Sequence, residues 1–294
     1  MKFTASVAMV DPSFYAPLAR AAEEAGYDGI SVPDSICYPR ESESRYPYTP
    51  DGSREFLENK PFVEPMVAIA TMAAVTERIG FYTSVTKLPI RHPVIFAKEI
   101  TSLAVITGNR FHLGVGTSPW PDDYEVVGLP WEGRSRRFDE CIAIIRGLAG
   151  GDYFEYHGRF YEVPPIKLNP APSGPVKILV GGHSKALLRR AAAFGDGWIG
   201  AGMAFDELAR VTARLRELRL ECGRGELPFE IHATGAESFT ADGVRRLAEL
   251  GVTHTGGGFG RFSGYQRERD TETLQEKVDA LRRYADVVIA EVRG

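Results

Sequence analysis

Cysteine is scarce in this chain: three among 294 residues, Cys37, Cys141 and Cys222, set far apart. Neither their number nor their spacing builds a disulfide framework or a thiolate zinc site, and reduced thiols in the cytoplasm are the expectation. Long apolar runs are absent too. No stretch approaches the ~18 residues of a membrane span, and in MKFTASVAMVDPSF the apolar run is too short for a signal peptide before Asp11-Pro12 interrupts it. There is no excess of positive charge, because 35 Lys and Arg stand against 39 Asp and Glu, and no basic run offers a nucleic-acid footprint. No histidine pair has the HExxH spacing or a similar one, so no metal is expected.

What is present is ordinary globular material: 44% hydrophobic and 25% charged residues, enough for a large core. Short apolar strands alternate with helical patterns along the chain. Lys2–Val10 reads as a strand, Asp11-Pro12 as a helix start, Tyr15–Ala25 as a helix, and Asp28–Val32 as a buried strand. A long aperiodic loop, 34–61, with tyrosines at 38, 46 and 48, follows. Loops of that length are usually functional. Beyond it come helix 63–76, strand 79–86, helix 93–106, strand 110–115 and helix 134–148. An insertion at about 151–176 holds a hairpin around His157-Gly158. Strands 177–180, 197–200, 228–234 and 252–255 then alternate with helices 185–194, 205–221, 241–250 and one from about 271. Eight βα units predict a single-domain (β/α)8 TIM barrel over 1–294 with a short inserted hairpin after strand 4; a doubly wound open sheet fits the same alternation.

Two strands end in open glycine backbone. In RFHLGVGTSPW (110–120) the strand runs into Gly116, Thr117 and Ser118. In KILVGGHS (177–184) Gly181, Gly182, His183 and Ser184 lead directly into a helix. A helix start presents unpaired N–H groups and a positive dipole end, which suits a phosphate.

Five ordered blocks carry a resemblance over nearly the whole chain: AEEAGYDGISVPDS (22–35), EPMVAIATMAAVTERIGFYTSV (64–85), LPIRHPVIFAKEITSLAVITGNRFHLGVGTSPW (88–120), RRFDECIAIIRGL (136–148) and ILVGGHSKALLRRAAAFGDGWI (178–199). The chain resembles the luciferase-like monooxygenase superfamily, and within it the actinobacterial enzymes that use the deazaflavin coenzyme F420. The resemblance implies a TIM barrel and a homodimer. It implies a bulge at Ser84-Val85 with a non-proline cis peptide backing the cofactor ring, ring and ribityl contacts from Gly116, Thr117 and Ser118, and a phosphate loop at Gly181, Gly182, His183 and Ser184.

At the end of strand two many such relatives carry an acidic residue followed by histidine. Here the pair is Asp34-Ser35. A hydroxyl of ordinary pKa is a poor acid at neutral pH, so Ser35 is expected to orient rather than transfer protons. Asp34 and His92 stand as candidates for proton transfer; Asp34 reads equally as a loop salt bridge, and Arg91 as an anion ligand. Glu64 reads as a helix start. Tyr48 and Trp120 could cover the substrate as an aromatic lid or pack the long loop to the rim. His112, His157 and His232 read as structural, while His254 is expected to end strand eight beside a possible phosphate loop. The leading expectation is an F420-dependent oxidoreductase acting on a small molecule. The alternatives are a reduced-FMN monooxygenase with a partner flavin reductase, and a non-catalytic flavin-binding protein.

Overall fold

The computed structural model describes every residue except 47, 48, 50, 201 and 258–270. Eight parallel strands close on themselves: β1 (Lys2–Ser6), β2 (Gly29–Val32), β3 (Gly80–Thr83), β4 (Phe111–Gly116), β5 (Ile178–Gly181), β6 (Gly197–Ile199), β7 (Glu230–His232) and β8 (His254–Gly256). The order runs β3-β2-β1-β8-β7-β6-β5-β4, and the β3–β4 pair closes the ring with Phe81 opposite Phe111 and Tyr82 opposite His112. This is the TIM barrel, not the open sheet. Strands such as GISV and ILVG are buried at every position because helices cover one face and the barrel interior the other.

Helices α1 (Tyr15–Glu24), α2 (Pro65–Ala73), α3 (Pro93–Ile106), α4 (Arg134–Ala149), α5 (Lys185–Phe194), α6 (Phe205–Glu221), α7 (Ala241–Glu249) and α8 (Leu274–Tyr284) surround the strands. Their starts follow local chemistry. Glu64 caps α2 by accepting from the N–H groups of Met66 (2.7 Å) and Val67 (3.1 Å), which settles it as a helix start. Between β4 and β5 lies the expected hairpin, Phe154–His157 against Glu162–Ile166, longer at its far end than the sequence suggested. The Glu140 carboxylate of α4 fastens it by accepting from the N–H groups of Arg159, Phe160 and Tyr161 at 2.9 to 3.2 Å. Among the described residues no helix is long and apolar enough to cross a membrane.

Candidate active site at the barrel mouth

The carboxyl end of the barrel is shaped by the turn after β3. The Ser84–Val85 peptide is cis, the geometry implied by the resemblance. Val85 projects between the glycine-ended strands: a Cβ on Gly116 would lie 2.7 Å from Val85 Cγ2, and one on Gly181 2.6 Å from Val85 Cγ1. Only glycine leaves room for this wedge at either strand end.

Asp34 holds the turn in place. Its Oδ2 accepts from the Lys87 N–H (2.8 Å), and its Oδ1 accepts from Arg91 Nη2 (2.9 Å). The Asp34 side chain is 1% exposed, and Arg91 also donates to the Lys87 carbonyl at 3.0 Å. Asp34 is therefore a brace and Arg91 its partner; the readings of Asp34 as a proton-transfer group and of Arg91 as an anion ligand give way to this ion pair, because both carboxylate oxygens and the guanidinium are engaged. Ser35 beside it is half-buried, and its hydroxyl makes no hydrogen bond within the described residues.

A second ion pair fixes the loop after β4. Lys87 Nζ lies 2.8 Å from Asp123, whose side chain is 1% exposed, and Asp123 also accepts from the Ser118 hydroxyl. Ser118 takes the left-handed conformation (φ 59°) and its Oγ accepts from the Trp120 N–H at 3.0 Å. The Thr117 carbonyl accepts from the Tyr124 hydroxyl. Sequence reasoning missed Lys87 and Asp123, since isolated charges in TKLP and PWPDD carry no motif.

At the neighbouring strand end Gly182 adopts φ 118°, which side chains resist, and Trp198 Nε1 donates to its carbonyl at 2.9 Å. Ser184 caps α5 by accepting from the Leu187 N–H at 3.3 Å. His183 is half-buried, its ring 6.2 Å from that of Trp198, and burial pushes its pKa down against the opposing charge of Glu207.

A closed parallel barrel, a wedged turn after strand three and a glycine loop opening α5 now stand together, and the luciferase-like monooxygenase family model matches residues 4–288. The chain belongs to that family. An uncharacterized protein of Mycobacterium tuberculosis is 53% identical over 292 residues, covering 99% of this chain and 100% of that one. An F420-dependent glucose-6-phosphate dehydrogenase of Nakamurella multipartita is 29% identical over 201 residues, 67% of this chain and 54% of its own. The crystal structure of the monooxygenase RslO1 from Streptomyces bottropensis superposes with TM-score 0.76 at 16% identity, covering 99% of both chains. The family thus joins F420-dependent and monooxygenase members on one barrel.

The other sequence-derived candidates separate. His92 precedes α3, is exposed, and meets Tyr161 of the hairpin with ring centroids 5.7 Å apart, so it stands outside the Asp34, Lys87 and Asp123 network. Trp120 is 5% exposed and anchors the long loop, with Tyr46 at 6.1 Å and Arg54 at 6.0 Å from its ring. The rim-packing alternative is the one observed. Tyr48 lies outside the described residues, as do the glycine at 258 and the residues from there to 270. His254 opens β8 rather than ending it, which sets it toward the opposite end of the barrel.

Proposed function

We propose that this protein is a coenzyme F420-dependent oxidoreductase acting on a small organic substrate at the barrel mouth. The observation that carries the reading is the wedge of Val85 against Gly116 and Gly181, beside the glycine loop that opens α5. Val85 gives a flat ring an apolar backing, Gly116, Thr117 and Ser118 border it, and Gly181, Gly182, His183 and Ser184 hold a phosphate at the helix start. When bound there, F420 would supply the ring carbon through which a hydride is given or accepted. Asp34, through Arg91 and the Lys87 N–H, keeps the backing turn in position. Ser35 orients the substrate through its hydroxyl. The name of the Nakamurella relative supports F420 as the cofactor.

The RslO1 likeness keeps the reduced-FMN monooxygenase, with a flavin reductase partner, as the second reading. Titrating purified protein with F420 and with FMN decides between them. Tighter F420 binding is expected; equal or tighter FMN binding overturns the proposal in favour of the monooxygenase.

A further inference from the structure

Toward the amino-terminal end of the barrel the strands gather titratable side chains that hydride chemistry at the mouth does not use. Glu230 opens β7, His232 ends it in register with His254 at the start of β8, and His112 lies near the start of β4. Glu230 Oε2 is 3.0 Å from His232 Nε2, 3.5 Å from His112 Nδ1 and 3.9 Å from His254 Nε2. Lys177 Nζ approaches the other carboxylate oxygen at 2.5 Å.

Hydrogen bonds around the two rings restrict their tautomers. Thr253 Oγ1 accepts from the Ile231 N–H (2.8 Å) and lies 3.2 Å from the Ile231 carbonyl, which also accepts from the Thr253 N–H at 2.9 Å. His254 Nδ1 lies 2.8 Å from the same hydroxyl, within hydrogen-bond distance in either direction. With its proton on Nδ1, directed at the Thr253 hydroxyl, His254 turns an Nε2 lone pair toward Glu230 Oε2. His232 donates from Nε2 to Glu230, which makes its Nδ1 a second lone pair, buried and without a partner among the described residues. Glu230, His232 and His254 thus bring one carboxylate and two imidazoles within reach of one another, a donor set that suits a metal ion.

We propose that Glu230, His232 and His254, with His112 as a fourth donor, bind one transition-metal dication of the Zn2+ class. Ligand atoms of the first three lie within 4.8 Å of one another. Metal–donor bonds of ~2.0–2.1 Å in a tetrahedral site place donors roughly 3.3 Å apart, so the set must contract and not refold. The His232 and His254 rings stack at 3.9 Å with 7° between planes, so their in-plane lone pairs run parallel and binding turns one ring toward the ion. Imidazole with one carboxylate selects zinc, cobalt or nickel over magnesium or calcium. His112 at 26% and Lys177 at 45% side-chain exposure give a route in from the base, and Lys177 is the cation the metal displaces. Donors spread over three strands leave no spacing motif in the sequence, which is why histidine spacing alone points to no metal.

Calorimetry with Zn2+ alone and visible absorption with Co2+ alone test the site, using untagged protein that carries His157→Ala to remove an exposed histidine flanked by Glu155 and Glu162. One equivalent of Zn2+ is expected, with tetrahedral Co2+ absorption. His254→Ala should weaken binding at least about tenfold, and Lys177→Met should tighten it. Absence of binding in the His157→Ala protein, or binding unmoved by both substitutions, overturns the proposal. Should the His254 variant not fold, histidine-ring NMR of the His157→Ala protein with substoichiometric Co2+ replaces it: broadening centred on His232 and His254 supports the site, and broadening confined to other residues overturns it.

Discussion

At the scale of single residues, the mouth separates groups that hold shape from groups left to meet a ligand. Asp34 is committed to Arg91 and the Lys87 N–H, whereas the Ser35 hydroxyl makes no bond within the described residues. If Ser35 orients the substrate, Ser35→Ala removes one hydrogen bond worth ~0.5–1.5 kcal/mol, a roughly two- to twelvefold loss of turnover, and the pH profile stays in place. Loss of an essential acid or base would instead lower the rate by ~10²–10⁴ and remove one limb of the profile. Steady-state kinetics across pH on both proteins distinguishes them. His183 predicts a pH effect on binding. Burial holds its pKa below the ordinary histidine value, so the ring is neutral at pH 7. A bound phosphate favours the protonated ring and raises that pKa. Binding then takes up a proton, so cofactor affinity should rise as pH falls from about 7 through the histidine range, and this increment should vanish in His183→Asn when dissociation constants are measured at each pH.

Among the elements, the closest approach is where β3 meets β4. A Cβ on Gly114 would lie 1.8 Å from the Thr83 carbonyl oxygen, a backbone atom with nowhere to go. Thr83 Oγ1 in turn donates to the Gly114 carbonyl (2.6 Å) and accepts from its N–H (2.9 Å). Gly114→Ala should therefore open the ring beside the turn that carries Val85, at a cost above the ~1–3 kcal/mol of ordinary overpacking. Thermal unfolding should register a large loss of stability or no folded protein; an unchanged midpoint would show that the strands separate freely. The sequence announced Gly114 only as one glycine in LGVG. Its partner is a threonine thirty-one residues away, and such proximity has no local signal.

For the molecule as a whole, the apolar side chains that the barrel leaves in water include several on the adjacent helices α2 and α3. Val67 on α2 is 58% exposed, and Ile95 and Ile106 on α3 are 61% and 66% exposed. Scattered exposed apolar residues are normal, but several on adjacent helices mark an interaction face. The homodimer implied by the family resemblance is predicted to use this face. Sedimentation should give a dimer for the wild-type chain and a monomer for Ile95→Glu; a monomeric wild type at micromolar concentration would remove the assignment.

By itself the sequence determined the alternation of strands and helices, because each carries its own period and its own start and stop residues. α3, α5 and α6 match the expected spans, and the glycine-ended strands are where they were read. Nearest-neighbour chemistry was enough for those features. Closure into a barrel, the engagement of Asp34 by Arg91, the burial of Trp120 under the long loop and the meeting of Glu230 with three histidines were decided only by tertiary structure. Each depends on which side chains a closed ring brings within a few ångströms across tens of residues, a distance that local periodicity does not encode.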